Sequence, residues 1–98
     1  MKIEKTGNAT ETVLTVSGCL ETAVSGEFSA ALEAAAGAKT LVLDFGGLEF
    51  IASSGLRLLV VANKRAQAEG RKIVLRGLND VVAEVFDVTG LKDVFDIR

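Results

Sequence analysis

The stretch from Leu41 to Leu56 constrains the fold of this chain more than any other. Leu41-Val42-Leu43 has the length and branching of a strand buried on both faces, and the residues from Leu56 onward repeat apolar side chains at helical spacing. Between them lies Asp44-Phe45-Gly46-Gly47-Leu48-Glu49-Phe50-Ile51-Ala52-Ser53-Ser54-Gly55. A strand therefore hands its C-terminal end to a helix, and a second apolar run, Ile73-Val74-Leu75, follows that helix. Such alternation demands a right-handed crossover in a mainly parallel sheet.

Two readings of the junction stand side by side. Ser53, Ser54 and Gly55 can be a helix cap and a tight turn, because a serine oxygen accepts a hydrogen bond from an unpaired first-turn N–H. The same helix end carries partial positive charge, so it would also welcome a phosphate. Asp44 reads as a solvated strand end. Gly46 and Gly47 read as a turn with positive φ, or as a point where a ligand comes close to the backbone.

The rest of the chain supplies scaffold. Lys2 to about Thr6 and Thr12 to Gly18 form an antiparallel hairpin across a Gly7-Asn8 turn, with Leu14 and Val16 inward and Val13 and Thr15 outward. A first helix is expected from about Ala23 to Ala36, capped by Thr22, with Gly37 in the C′ role and Val24, Phe28, Ala31, Leu32 and Ala35 as its buried stripe. The central strand, Thr40 to Phe45, leads to a second helix over Ser54 to Glu69 that ends at Gly70. At 100° per residue Leu58, Leu59, Ala62 and Ala66 face inward and Arg57, Lys64 and Ala68 outward, with Val61 among the outward residues. Lys72 to Arg76 is a further strand. A third helix follows, capped by Asn79 or Asp80, burying Val82, Val85 and Phe86 and stopped by Gly90. Val94 to Ile97 makes a short edge strand. The order is β-β-α-β-α-β-α-β, an α/β domain of helices packed on a mixed sheet over residues 1–98.

Composition narrows the function. Ninety-eight residues with nearly half apolar suffice for one core without metal or disulfide support. A net charge of −2 with scattered Lys and Arg, and no Trp or Tyr, speaks against a nucleic-acid surface. Cys19 is the single cysteine, so no intramolecular disulfide forms and a small buried hydrophobe is expected there. With no histidine, Ser-His-Asp hydrolysis and His-ligated zinc drop out. No Gly-Lys-Ser/Thr occurs, which disfavours a nucleotide-binding loop, and neither an enzyme nor a cofactor is expected. Met1 to Lys5 lacks the apolar centre of a secretory signal, and no run is long enough to cross a bilayer, so a cytoplasmic protein is expected.

Nearly the whole chain resembles the STAS domain family of sulfate-transporter domains and bacterial anti-sigma factor antagonists. The resemblance is carried by Leu14-Thr15-Val16-Ser17-Gly18-Cys19-Leu20-Glu21, Leu41-Val42-Leu43-Asp44-Phe45, Phe50-Ile51-Ala52-Ser53-Ser54-Gly55-Leu56, Gly70-Arg71-Lys72-Ile73-Val74-Leu75 and Gly90-Leu91. It implies a protein-binding switch. The unmodified domain would bind an anti-sigma factor that is also a serine kinase, phosphorylation of Ser53 would end that binding, and a serine phosphatase would restore it. Glu21 stands where the family usually carries aspartate. The implied contact patch combines Glu21, Ser53, Ser54, Arg57 and Val61, with Gly46 to Phe50 at its edge. Ala52 departs from the family, whose antagonists commonly have aspartate there, a group that can orient the hydroxyl or assist its deprotonation. That departure favours an alternative: an unphosphorylated STAS scaffold subunit of a transport or signalling complex.

Overall fold

The computed structural model describes residues 1–8 and 10–98. Strands β1 (Lys2–Gly7), β2 (Glu11–Leu20), β3 (Thr40–Ile51), β4 (Lys72–Arg76) and β5 (Asp96–Ile97) alternate with helices α1 (Ser25–Ala34), α2 (Ser53–Ala68) and α3 (Asp80–Val88) in the expected order. The sheet runs β1-β2-β3-β4-β5; β1 and β2 are antiparallel and every later pair is parallel. The hairpin turns where Gly7 adopts φ +100°, and a Cβ there would lie 2.3 Å from the Glu11 carbonyl oxygen. Asn8 Oδ1 holds the returning chain by accepting from the N–H groups of Thr10 and Glu11.

One core unites all three helices with one face of the sheet. Phe28 and Leu32 of α1, Leu59 and Ala66 of α2, and Val82 and Phe86 of α3 cluster with Leu14, Val16, Leu41, Leu43, Phe45, Ile73 and Leu75. Strand side chains alternate, so Val42 and Val74 turn to the opposite face, where they too are buried. Ion pairs there span neighbouring strands: Lys72 to Asp96 at 2.9 Å and Arg76 to Asp44 at 3.3 Å. The Lys72 ammonium first, then the Arg98 guanidinium, holds the Asp96 carboxyl below the usual carboxylate range.

The structure corrects several local expectations. β3 does not stop at Phe45 but continues to Ile51, so Gly46 and Gly47 are strand residues without positive φ. Its pairing with β2 shifts twice: Thr15 meets Asp44 but Ser17 meets Gly47, and Gly18 meets Leu48 but Cys19 meets Phe50. Each shift inserts one extra β3 residue, a bulge that re-aims the following side chains. Phe45, Leu48 and Ile51 are all buried in consequence, at a spacing of three that no regular strand would show. Glycine is required at 47 for space, since a Cβ there would lie 2.8 Å from Ser17 Cβ. Asp44 is no solvated strand end; it sits within β3, bonded to Arg76 and to the Gly46 N–H. Cys19, half-buried, lies at the second shift.

Helix ends differ too. α1 opens after a 3-10 turn over Thr22–Val24 and is preceded by Val24, so Thr22 is not its cap; it closes at Ala34, and Gly37 has no left-handed conformation. α2 begins at Ser53 with Ala52 in the N-cap position, so neither Ser53 nor Ser54 caps it. At its far end Gly70 has the left-handed φ of +72° expected of a C′ glycine. Asn79 does cap α3, accepting from the Val82 N–H at 2.8 Å, while its Nδ2 donates to the Leu48 carbonyl at 2.8 Å. Asn79→Ala is expected to lower unfolding free energy by about 1–2 kcal/mol in urea titration. Asn79→Asp keeps the cap acceptor and loses only the bond to Leu48, so it should recover part of the loss.

Candidate functional site: the start of helix α2

The geometry at the β3–α2 junction follows from a few contacts. Ala52 donates its N–H to the Leu20 carbonyl at 2.8 Å, which pins the end of β3 to the end of β2. Ala52 is itself extended, at ψ 162°, and its carbonyl accepts from Gly55 and Leu56, starting the helix. Gly55 is buried against the strand ends: a Cβ there would lie 2.8 Å from Leu20 Cδ2 and 3.1 Å from Ile51 Cγ1. The absent side chain lets α2 begin directly on the sheet. Ser53, two positions earlier, is thereby turned outward.

The two serines differ in what they touch. Ser54 Oγ lies 3.1 Å from Thr22 Oγ1, joining the first turn of α2 to the chain entering α1. Ser25 Oγ donates to the Thr22 carbonyl at 2.8 Å and steadies the same turn. The Ser53 hydroxyl has no hydrogen-bond partner among the described residues and is exposed. Because the cap is an alanine, its side chain bonds none of the first-turn N–H groups. A hydroxyl so placed is open to a reagent or to another protein.

Ser53, Ser54 and Arg57 share a shallow depression between the starts of α1 and α2, walled by Thr22, Ser25, Ser29 and Leu58. Glu21 is exposed immediately before Thr22, at the rim. Val61, 58% exposed, lies one turn beyond Arg57 and lines the adjoining groove between α1 and α2 with Leu32, Leu58 and Ala62. The structure thus gathers three of the five expected residues in one depression and sets Glu21 and Val61 beside it. From the segment 46–50, Phe50 remains at the surface, 47% exposed, whereas Leu48 is wholly buried. Glu49 is exposed and makes no hydrogen bond to Ser53 among the described residues.

Sequence reasoning missed the hydroxyl wall of Thr22, Ser25 and Ser29. Its signal was present as polar residues spaced three and four apart at the start of α1, on the face turned toward α2. Among the described residues no cluster of three His, Cys, Asp or Glu could hold a metal ion, and no helix is long and apolar enough to cross a membrane.

A family model described as Mlab, STAS domain, matches residues 3–97. A Bordetella bronchiseptica protein bearing the description anti-sigma factor antagonist BtrV is 40% identical over 62 residues, 62% of this chain and 53% of the relative. The anti-sigma-B factor antagonist of Listeria monocytogenes is 33% identical over 58 residues, 59% of this chain and 51% of the relative. These matches span only about half the length of those relatives. Among solved structures, the unphosphorylated form of the anti-sigma factor antagonist SpoIIAA superposes with a TM-score of 0.85 at 20% identity, covering 99% of this chain and 88% of that one. An anti-sigma factor antagonist domain protein from Planctomyces limnophilus gives 0.85 at 26% identity, covering 98% and 87%.

Proposed function

The chain belongs to the STAS domain family, and from that premise we propose that it is an anti-sigma factor antagonist, a switch whose binding to an anti-sigma factor is controlled at Ser53. The observation that carries this reading is the Ser53 hydroxyl: exposed, without a hydrogen-bond partner among the described residues, at the first position of α2 and beside an arginine. Relatives named as antagonists support the partner class. That SpoIIAA has been solved in a phosphorylated form supports the kind of control.

The switch works on the surface and spares the fold. A kinase partner would transfer the terminal phosphoryl group of a nucleoside triphosphate to Ser53 Oγ, the hydroxyl losing its proton and the diphosphate leaving. The product adds roughly −1.5 to −2 charge at the positive end of α2, where the domain tolerates it. A partner docked over Glu21, Ser53, Ser54, Arg57 and Val61 would have to desolvate that dianion. A penalty of about 2.7 kcal/mol lowers affinity roughly a hundredfold, enough to release it. A serine phosphatase acting on the exposed ester would reset the switch.

Titration calorimetry against an anti-sigma factor of the same cell tests the proposal. The unmodified protein and Ser53→Ala should bind alike, and Ser53→Asp about a hundredfold more weakly. Equal affinity of all three would remove the mechanism. A second reading, an unphosphorylated scaffold subunit of a transport or signalling complex, is favoured by one observation: Ala52 offers no carboxylate beside Ser53. Intact masses of the protein recovered from cells separate the two, since a phosphorylated species rules out the passive scaffold.

A further inference from the structure

We propose that Arg57 clamps the phosphate of modified Ser53, so that phosphorylation withdraws a partner contact at the same time as it adds charge. The inference rests on the reading of Ser53 given above. Ser53 and Arg57 stand four residues apart on α2, which places their Cβ atoms about 5–6 Å from each other on one face. Helical side chains lean toward the N-terminus, so the Arg57 stem lies back over the turn that Ser53 begins. Both residues line the same depression.

Charge pairing singles Arg57 out. Among the described residues Arg65 meets Glu33 and Glu69, Arg71 meets Glu69, Arg76 meets Asp44 and Arg98 meets Asp96. Arg57, exposed, takes part in no ion pair among those residues. A phosphate on Ser53 would therefore displace no carboxylate from it. The planar guanidinium offers two parallel N–H groups to two phosphate oxygens, a match that an ammonium lacks. In the unmodified protein the same side chain is available to a docked partner; once Ser53 is modified it folds back along its own helix.

The test places phosphoserine at position 53 during synthesis, so that it depends on no kinase, and follows the second ionisation of the phosphate by ³¹P NMR. An arginine that favours the dianion lowers this pKa from its ordinary value near 6. The otherwise native protein should therefore titrate about half a unit below its Arg57→Ala variant at low salt. Arg57→Gln, which keeps the stem, should behave like Ala, and Arg57→Lys should restore part of the shift. The difference should shrink as ionic strength rises. Identical pKa values with and without Arg57, or a full shift retained by Gln, would overturn the clamp. Neither result would touch the reading of Ser53 as the switch, which is decided separately by how the unmodified protein and Ser53→Asp bind the anti-sigma factor.

Discussion

Gly55→Val is expected to lower unfolding free energy by roughly 2–4 kcal/mol and to weaken partner binding together with stability. The first branch atom of the new side chain would sit 2.8 Å from Leu20 Cδ2 and 3.1 Å from Ile51 Cγ1. Both neighbours are core residues with almost no exposed surface, so neither can swing into solvent. Valine is also the better helix former by a few tenths of a kcal/mol, a gain too small to offset the overlap. Relief comes only by lifting the first turn of α2 from the strand ends, and that turn carries Ser53. Gly55→Ala is the graded control: its Cβ meets the same 2.8 Å contact, but it adds no further methyl and gains about 1 kcal/mol of helix propensity, so its stability should fall between those of the parent and the valine variant. Urea unfolding gives the stabilities, and calorimetry at native conditions gives the affinities. A valine variant as stable as the parent would show that the close approach of helix and strands does not set the geometry of the junction.

Phe86→Ala should cost still more, about 3–5 kcal/mol, and should leave partner affinity intact. Phe86 is fully buried on α3 and meets the Phe95 ring edge-on, with centroids 5.8 Å apart and planes at 89°. Phe95 in turn anchors the two-residue strand β5, so the cavity would open beneath the last sheet pairing. Against a total of about 5–15 kcal/mol for a domain of this size, such a loss removes a large share of the stability. The aromatic pair itself should contribute about 0.5–1.5 kcal/mol in a double-mutant cycle with Phe95→Leu. The residues proposed for the switch lie on α2 and at the approach to α1, so under that proposal the folded fraction should bind the anti-sigma factor as the parent does. A loss below about 1 kcal/mol would mean that the core under α3 refills without strain. Set against Gly55→Val, this variant separates damage to the fold from damage to the docking surface.

The two variants also mark how far the chain could be read without coordinates. Val82, Val85 and Phe86 recur at helical spacing, which puts Phe86 inside, and α3 buries Val82 and Phe86 fully and Val85 in part. Lys72–Arg76 forms β4 with the expected bounds, because an unbroken apolar centre between charged ends fits a strand covered on both faces. On α2, Leu59 and Ala66 point into the core while Arg57, Val61 and Lys64 face out, as spacing requires; that Ser53 belongs to the same helix, four residues before Arg57, is a result of the structure, because the helix expected from sequence begins at Ser54. By contrast, the second half of β3 was hidden. Phe45, Leu48 and Ile51 recur every three residues, a period that belongs to no regular strand, and only the pairing with β2 creates the bulges that explain it.

Taken by itself, the sequence determined the element order, the parallel pairing after an antiparallel hairpin, the inward faces and the serine pair at a helix start, because periodicity and breaker residues are local properties. The tertiary structure decided that Ala52 is the cap, that Thr22 bonds Ser54 instead of capping α1, and that Gly55 is there to let helix and strands touch. Those outcomes depend on which residues distant in the chain are brought within a few ångströms, and a Cβ placed 2.8 Å from Leu20 is forbidden only once Leu20 is there.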